Sequence, residues 1–402
     1  MRRVITRIVP VVLAVASLTA LIAAGAFDRS AKAANPLKIL VGNGSGGIAA
    51  QAFLPDRFSV WVGDSVQFFN PYEQVHTVVF TAGGPEPAFM TPVLPGPPPA
   101  GAPPPRIILN PASAFPSAAT TFDGTAFAGS GVLAKGQSWT LTFTKPGLYT
   151  FICNIHPGMQ GTVNVSSPPV GLRTTQEEAD KAAASMLAAA VSAGEASAAK
   201  AKPTTKTNSD GTKTWEVLMP VTAVSSAGQA DPMRFVPAKI QIGLGDTVTW
   251  VDPNVEPHTV TFTSGAPVPA FVLPEFGPTP GPPTALVANP QVLFPQGGPT
   301  YDGTGYRNSG FLGIGLEQHG GTTYSLKFTK AGVYSYVCVI HANQGMAGVV
   351  EVGGGLAAPS TGEAGLAEGD AGNASWLLWL AGAGGLAVLA AGAGLTLRHH
   401  RA

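Results

Sequence analysis

A chain of 402 residues that is 45% hydrophobic has enough apolar material for two or three cores. Glycine (50) and proline (37) both exceed average usage, which favours short strands and long turns over helical bundles. Lys plus Arg and Asp plus Glu balance at 23 each, so no basic surface is available for nucleic acid, and that class of function is set aside.

At the N-terminus, Arg2, Arg3 and Arg7 precede an apolar run from Ile8 to Phe27, and small residues follow at Ala31 to Ala34. Residues 1–34 therefore read as an export signal, with an uncleaved N-terminal anchor as the competing reading because the run is long for a cleaved signal. Next comes "FLPDRFSVWVGDSVQFFNP", Phe53 to Pro71, in which Phe58, Val60, Val62, Val66 and Phe68 alternate with polar residues around a Gly-Asp turn. That is the period of a half-buried hairpin. His76 follows, then a Pro-rich insertion with an Asn-Pro at Asn110, a Phe-Pro ending at Pro116 and an Asp-Gly-Thr turn at Asp123. The first β-domain, residues 35–167, closes with "SWTLTFTKPGLYTFIC", where Tyr149, Phe151 and Cys153 share one parity, and with "NIHPGMQG".

Residues 168–213 form an Ala-rich and polar linker. Thr174 to Lys202 contains two capping-box patterns, Thr174/Glu177 and Thr175/Glu178, and predicts a poorly amphipathic helix, a spacer or one lying against a domain. A shift of 182 residues then aligns Phe235 to Pro253 with the first hairpin and His258 with His76. Residues 214–353 are thus a second copy, complete with its own Pro-rich insertion (Asn289 to Pro295, Asp302) and its own terminal cysteine, Cys338. Landmarks kept in both insertions predict an ordered lobe on each domain. Small residues at 354–375 suit a flexible stalk. Trp376 to Leu397 carries no charge, is long enough to span a bilayer, and meets Arg398, His399, His400 and Arg401 at once. Residues 376–397 are read as a transmembrane helix and 398–402 as a cytoplasmic basic tail, which puts both domains on the extracytoplasmic side of the cell membrane.

Each copy repeats one early His and then Cys, His and Met close together near its end. Taken singly, a buried Cys is usually inert, a His a hydrogen-bonded structural residue and a Met core filler. A fourfold set at matching positions is different: two imidazoles, a thiolate and a distant thioether make a blue-copper site. An early His and a late Cys-to-Met loop meet only if the sheet sets their strands side by side, as a Greek-key sandwich does. A Cys153–Cys338 disulfide would instead join equivalent strand ends of two domains.

With these residues, "CNIHPGMQG" and "CVIHANQGM" resemble the small blue-copper proteins, the cupredoxins: the first has the Cys-x-x-His-x-x-Met spacing of amicyanins, the second the longer Cys-to-Met spacing of plastocyanins and pseudoazurins. The resemblance implies an all-β chain of two Greek-key β-sandwich cupredoxin domains holding two type 1 copper ions. It assigns His76, Cys153, His156 and Met159 to the first ion and His258, Cys338, His341 and Met346 to the second, with Gln344 as an alternative axial donor. Thr77 and Thr259 follow the early histidines where the family commonly has Asn, so the tie between ligand loops falls to a hydroxyl.

Catalytic copper centres consume further histidines. Of the seven here, four are assigned, His399 and His400 lie in the tail, and only His319, read as a surface turn residue, remains. The chain is therefore expected to be no enzyme but a membrane-anchored electron carrier between redox protein partners. A copper storage, delivery or resistance protein is the alternative, although the seven methionines are scattered and form no Met-rich tract.

Overall fold

The computed structural model describes residues 35–92, 103–316 and 319–353. The signal or anchor at 1–34, the stalk, the membrane segment 376–397 and the basic tail lie outside the described residues. Among the described residues no helix is long and apolar enough to cross a membrane.

The chain is mostly β. In the first domain, strands Ile48–Leu54, Leu37–Ser45, Ser65–Phe69, Ser138–Phe143 and Thr121–Phe122 form one sheet, in that order, and Arg57–Trp61, Gln160–Ser166, Gly147–Ile152, Val79–Phe80 and Ala128–Gly129 form the other. Leu37–Ser45 runs parallel to Ser65–Phe69, and Arg57–Trp61 parallel to Gln160–Ser166, so chain neighbours cross between sheets and are not joined only by hairpins. The alternation seen in the sequence is what the sandwich needs: Phe58, Phe68, Phe80, Phe143 and Phe151 all point between the sheets. Their rings pack edge to face or tilted, with Phe68 and Phe80 at 5.3 and 5.2 Å from Phe151. Cys153 follows Phe151 at the end of this stripe, as its parity predicts.

The second domain repeats the plan. Its sheets are ordered Thr205–Thr207, Lys213–Leu218, Thr247–Val251, Thr323–Phe328, Thr300–Tyr301 and Lys239–Ile242, Ala347–Val352, Gly332–Val337, Thr261–Phe262, Arg307–Ser309, Pro295–Gln296. Trp250, Phe262, Phe328 and Tyr336 stand where Phe68, Phe80, Phe143 and Phe151 stand in the first. Residues 205–207, part of the stretch read as polar linker, already pair with this domain's sheet.

The linker helix spans Gln176–Ala198. Of its two candidate capping boxes, Thr175/Glu178 is the one that forms, with Thr175 Oγ1 accepting from Glu178 N–H and Glu178 accepting from Thr175 N–H at 2.8 Å. Thr174 turns away and accepts from Ser59 N–H at 2.9 Å. The helix lies on the first domain's outer sheet through Ala179, Ala183, Ala190 and Gly194.

From Leu37 onward the described chain is one compact unit, because the domains join edge to edge and not through a tether. Strand Gly228–Pro232 of the second copy extends the first domain's sheet by pairing antiparallel with Ile48–Leu54. Ala49 meets Asp231 there, and the two are equivalent positions of the repeat, 182 residues apart. The sequence predicts one lobe per domain from the insertions; in the structure they form a single shared lobe. A four-stranded sheet runs Val272–Glu275, Ala285–Ala288, Ile108–Leu109, Met90–Thr91, joined across copies where Ile108 pairs with Val287. Two short strands cannot cover an apolar face by themselves. Pooled, they bury Ile107, Leu109, Leu286, Val292 and Leu293, and Arg106 pairs with Glu275 across the seam. Each copy's Asn-Pro starts a short helix in this lobe, with Asn110 and Asn289 accepting from Ala112 and Gln291 N–H at 3.0 Å.

Candidate metal centres

In the first domain, His76 enters from the segment before strand Val79–Phe80, paired by its backbone to Leu133, while Cys153, His156 and Met159 sit on the loop between Gly147–Ile152 and Gln160–Ser166. That loop is pinned by Cys153 N–H donating to Met159 O at 2.9 Å. Nδ1 of His76 and Nδ1 of His156 lie 3.9 and 3.5 Å from Cys153 Sγ. One donor atom from each of the three residues falls within 4.8 Å of the others in a buried cluster, and Met159, on the same loop, is buried as well. One soft thiolate, two imidazole nitrogens and a thioether fit a copper ion.

Room for His76 comes from an unforeseen residue. Gly42, at the irregularity of strand Leu37–Ser45, has φ of +69°, and a Cβ there would lie 2.0 Å from His76 Nε2. A glycine inside a strand pattern is the signal for such a close approach.

The tie between ligand loops is made by threonine. Thr77 Oγ1 accepts from Asn154 N–H at 3.1 Å and donates to Asn154 Oδ1 at 2.7 Å, while Thr77 N–H points at Cys153 Sγ at 3.4 Å. Thr259 does the same in the second copy, accepting from Val339 N–H at 2.8 Å, with its own N–H 3.3 Å from Cys338 Sγ. The shared lobe leans on both loops: Asn154 Nδ2 donates to Pro87 O and Ser113 Oγ, and Val339 and Ile340 pack against the core around Ile107 and Val292.

The second site departs from the first at one ligand. Cys338 Sγ is 3.5 Å from His341 Nδ1, and Met346 is fully buried, with its carbonyl accepting from Cys338 N–H. His258 Nδ1, however, lies 3.0 Å from Asp252 Oδ2 instead of facing the sulfur. Its counterpart in the first domain is uncharged Asn70, whose amide is spent on the carbonyls of Gln74 and Leu133. Among the described residues only His76, Cys153 and His156 make a three-residue donor cluster. Gln344, the alternative axial donor, leaves its buried Oε1 without a hydrogen bond.

Between the sites lie three acids that the sequence reading did not single out: Asp231, Asp252 and Glu256, all buried. Glu256 Oε1 is 3.6 Å from His156 Nε2 and 3.3 Å from His341 Nε2, and accepts from Gln74 Nε2 at 3.3 Å. His258 Nε2 faces Asp231 at 3.7 Å. A polar residue two positions before the early His in both copies, Gln74 and Glu256, was the available signal.

Burial dominates the titration of these groups, and partners decide its sign. Burial pushes the imidazoles of His76 and His156 below their usual range. It would raise the Cys153 thiol, but the hydrogen bond and charge of His76 hold it low, and His341 does so for Cys338. Burial also opposes charge on His258 and His341, yet Asp252 lifts the first to about 10 and the Cys338 thiolate lifts the second to about 9. Glu256, disfavoured as an anion by burial, is held at about 2 by His156 and His341, whereas burial leaves Asp231 at about 6.

His319 is no surface residue. It is buried with its ring 5.3 Å from Phe294 and 6.3 Å from Phe311, and burial lowers it to about 4. Asp123 and Asp302, as turn residues, accept from the N–H and hydroxyl of Thr125 and Thr304.

Residues 42–166 and 311–353 match the model of copper-binding proteins of the plastocyanin/azurin family. Structures of amicyanin variants, one oxidized and one reduced, are 21% and 22% identical to the chain, cover 33% of it and 82% and 85% of themselves, and have TM-scores of 0.20 and 0.21. These distant likenesses add no weight to the family match. No curated protein matches the chain. A buried His-Cys-His cluster thus falls inside the first region that matches the plastocyanin/azurin family of copper-binding proteins, and Cys338, His341 and Met346 fall inside the second.

Proposed function

We propose that this protein is a blue-copper electron carrier with two type 1 sites, His76/Cys153/His156/Met159 and His258/Cys338/His341/Met346, held outside the cytoplasmic membrane by residues 376–397. The observation that carries the reading is the convergence of Cys153 Sγ with Nδ1 of His76 and His156 in a cluster closed to solvent. Copper, when bound, supplies a one-electron couple at such a donor set. The chain's own groups do the rest. His76 and His341 shift the Cys153 and Cys338 thiols toward the thiolate that a copper ion takes as ligand, and the N–H groups of Thr77 and Thr259 stabilise charge on sulfur. Thr77 and Thr259 brace one ligand loop against the other, so little rearranges when the charge changes.

Catalysis is not part of the proposal. Four histidines serve as ligands, two belong to the tail, and His319 is enclosed by phenylalanines. Donor and acceptor are redox proteins that meet the domains from outside. Different loop lengths and the Asn70/Asp252 difference imply two reduction potentials. Potentiometric titration of the copper-loaded full chain should give two reversible one-electron steps. Copper that is bound but leaves to a chelator without reversible redox behaviour would favour storage or delivery instead, and a single step taking up one electron would remove the second site.

A further inference from the structure

Three contacts relate equivalent positions of the two copies: Ala49 to Asp231, Ile108 to Val287, and Gln74 to Glu256, the first and last 182 residues apart. The domains are therefore arranged as an internal two-fold, a fused counterpart of an isologous dimer. The consequence for the sites is specific. All four ligand imidazoles are buried, at 3% exposure or less, and the two from the Cys-to-Met loops turn their Nε2 edges toward one oxygen, Glu256 Oε1. No solvent layer separates the centres at this point.

We propose that Glu256 links the two metal centres into one electron-exchanging pair, a reading that rests on both sites holding copper. Nδ1 of His156 and of His341 face their own sulfurs, leaving both Nε2–H groups to the carboxylate. The path runs from Cys153 and His156 through Glu256 Oε1 to His341 and Cys338. Tunnelling falls steeply across open gaps, and here only two polar contacts interrupt the covalent route. One electron leaves the reduced site and arrives at the oxidised one; no bond forms or breaks and the protons on Nε2 stay. A donor redox protein refills one site and an acceptor redox protein drains the other. The buried carboxylate also stabilises the more positive oxidised state of both sites at once, lowering both potentials.

The test uses the copper-loaded full chain with Glu256→Gln, Glu256→Ala and the exchange Gln74→Glu/Glu256→Gln, which moves the charge across the internal two-fold. After rapid one-electron reduction by a photogenerated viologen radical, equilibration between sites should slow at least tenfold in Glu256→Ala and less in Glu256→Gln. Both potentials should rise in each single variant and return toward the original in the exchange. Nitrogen NMR of the Cu(I) form should show both Nε2–H resonances of His156 and His341 moving together. Two coppers with unchanged exchange rates, or only one potential moved, overturns the role of Glu256 while leaving the two-site reading intact. A chain that binds a single copper overturns that reading and the link together.

Discussion

One atom, an amide nitrogen in Asn70 and a carboxylate oxygen in Asp252, decides where Nδ1 of the second early histidine points. Asn70 and Asp252 are equivalent, and where the amide braces carbonyls, the carboxylate takes His258 Nδ1 for itself. A charge-assisted hydrogen bond of this kind must be given up before that nitrogen can face a metal. Asp252→Asn is therefore expected to tighten Cu(I) binding at the second site by about tenfold, taking one charge-assisted bond as ~1.4 kcal/mol. A competition titration against a chelator in the Cys153→Ser background reads this, and equal or weaker binding would contradict it. His319 makes a second residue-scale case. Its folded value of about 4 lies below the ordinary 6.5, so the unfolded chain takes up the proton first as pH falls. Stability should be unaffected above about pH 6.5 and decline between there and about pH 4, by on the order of 1–2 kcal/mol after allowance for screening. Denaturant midpoints of His319→Leu should stay flatter than wild type across that window; parallel profiles would show that His319 does not titrate in this way.

Elements divide by how their buried face is written. The strands were legible because large side chains alternate: Phe58, Val60, Val66 and Phe68 in one copy, Ile240, Ile242, Val248 and Trp250 in the other, and all eight are buried. Helix Gln176–Ala198 announced its start through Thr175 and Glu178 but not its docking, since the face it buries is alanine and glycine. Small residues barely distinguish one face of a helix from the other, yet they allow close approach: a Cβ on Gly194 would lie 2.5 Å from Ile48 Cγ2. Gly194→Val should cost about 1–3 kcal/mol by overpacking. Ala188→Val, on the exposed face, should lose only a few tenths to ~0.7 kcal/mol of helix propensity. Equal losses in thermal unfolding would mean that the helix does not pack as described. Ligand loops were the most legible elements, because Cys, His and Met are rare enough here for their spacing to stand out. Gly42, Asp231 and Glu256 were not, because their role depends on which strands become neighbours across space.

At the scale of the molecule, two copies of one domain are fused about an internal two-fold, with one lobe shared and both ligand loops beneath it. The repeat was plain in the sequence, and the way its halves join was not: Gly228–Pro232 leaves its own copy's sheet for the other's, and no local pattern in that strand specifies the partner. Mutual burial follows from this joining, and it puts the imidazole edges of the two centres face to face. Each copy then supplies what the other lacks, a wall for its candidate metal site and half of a sheet for its insertion. The proposed function requires that both copies hold type 1 copper. The most direct measurement is the visible absorption spectrum of the full chain with copper quantification, beside Cys153→Ser and Cys338→Ser. Two coppers per chain with an intense thiolate-to-copper band, roughly halved by either substitution and bleached by mild reductant, is the expected result. A band abolished by Cys153→Ser and untouched by Cys338→Ser would contradict it.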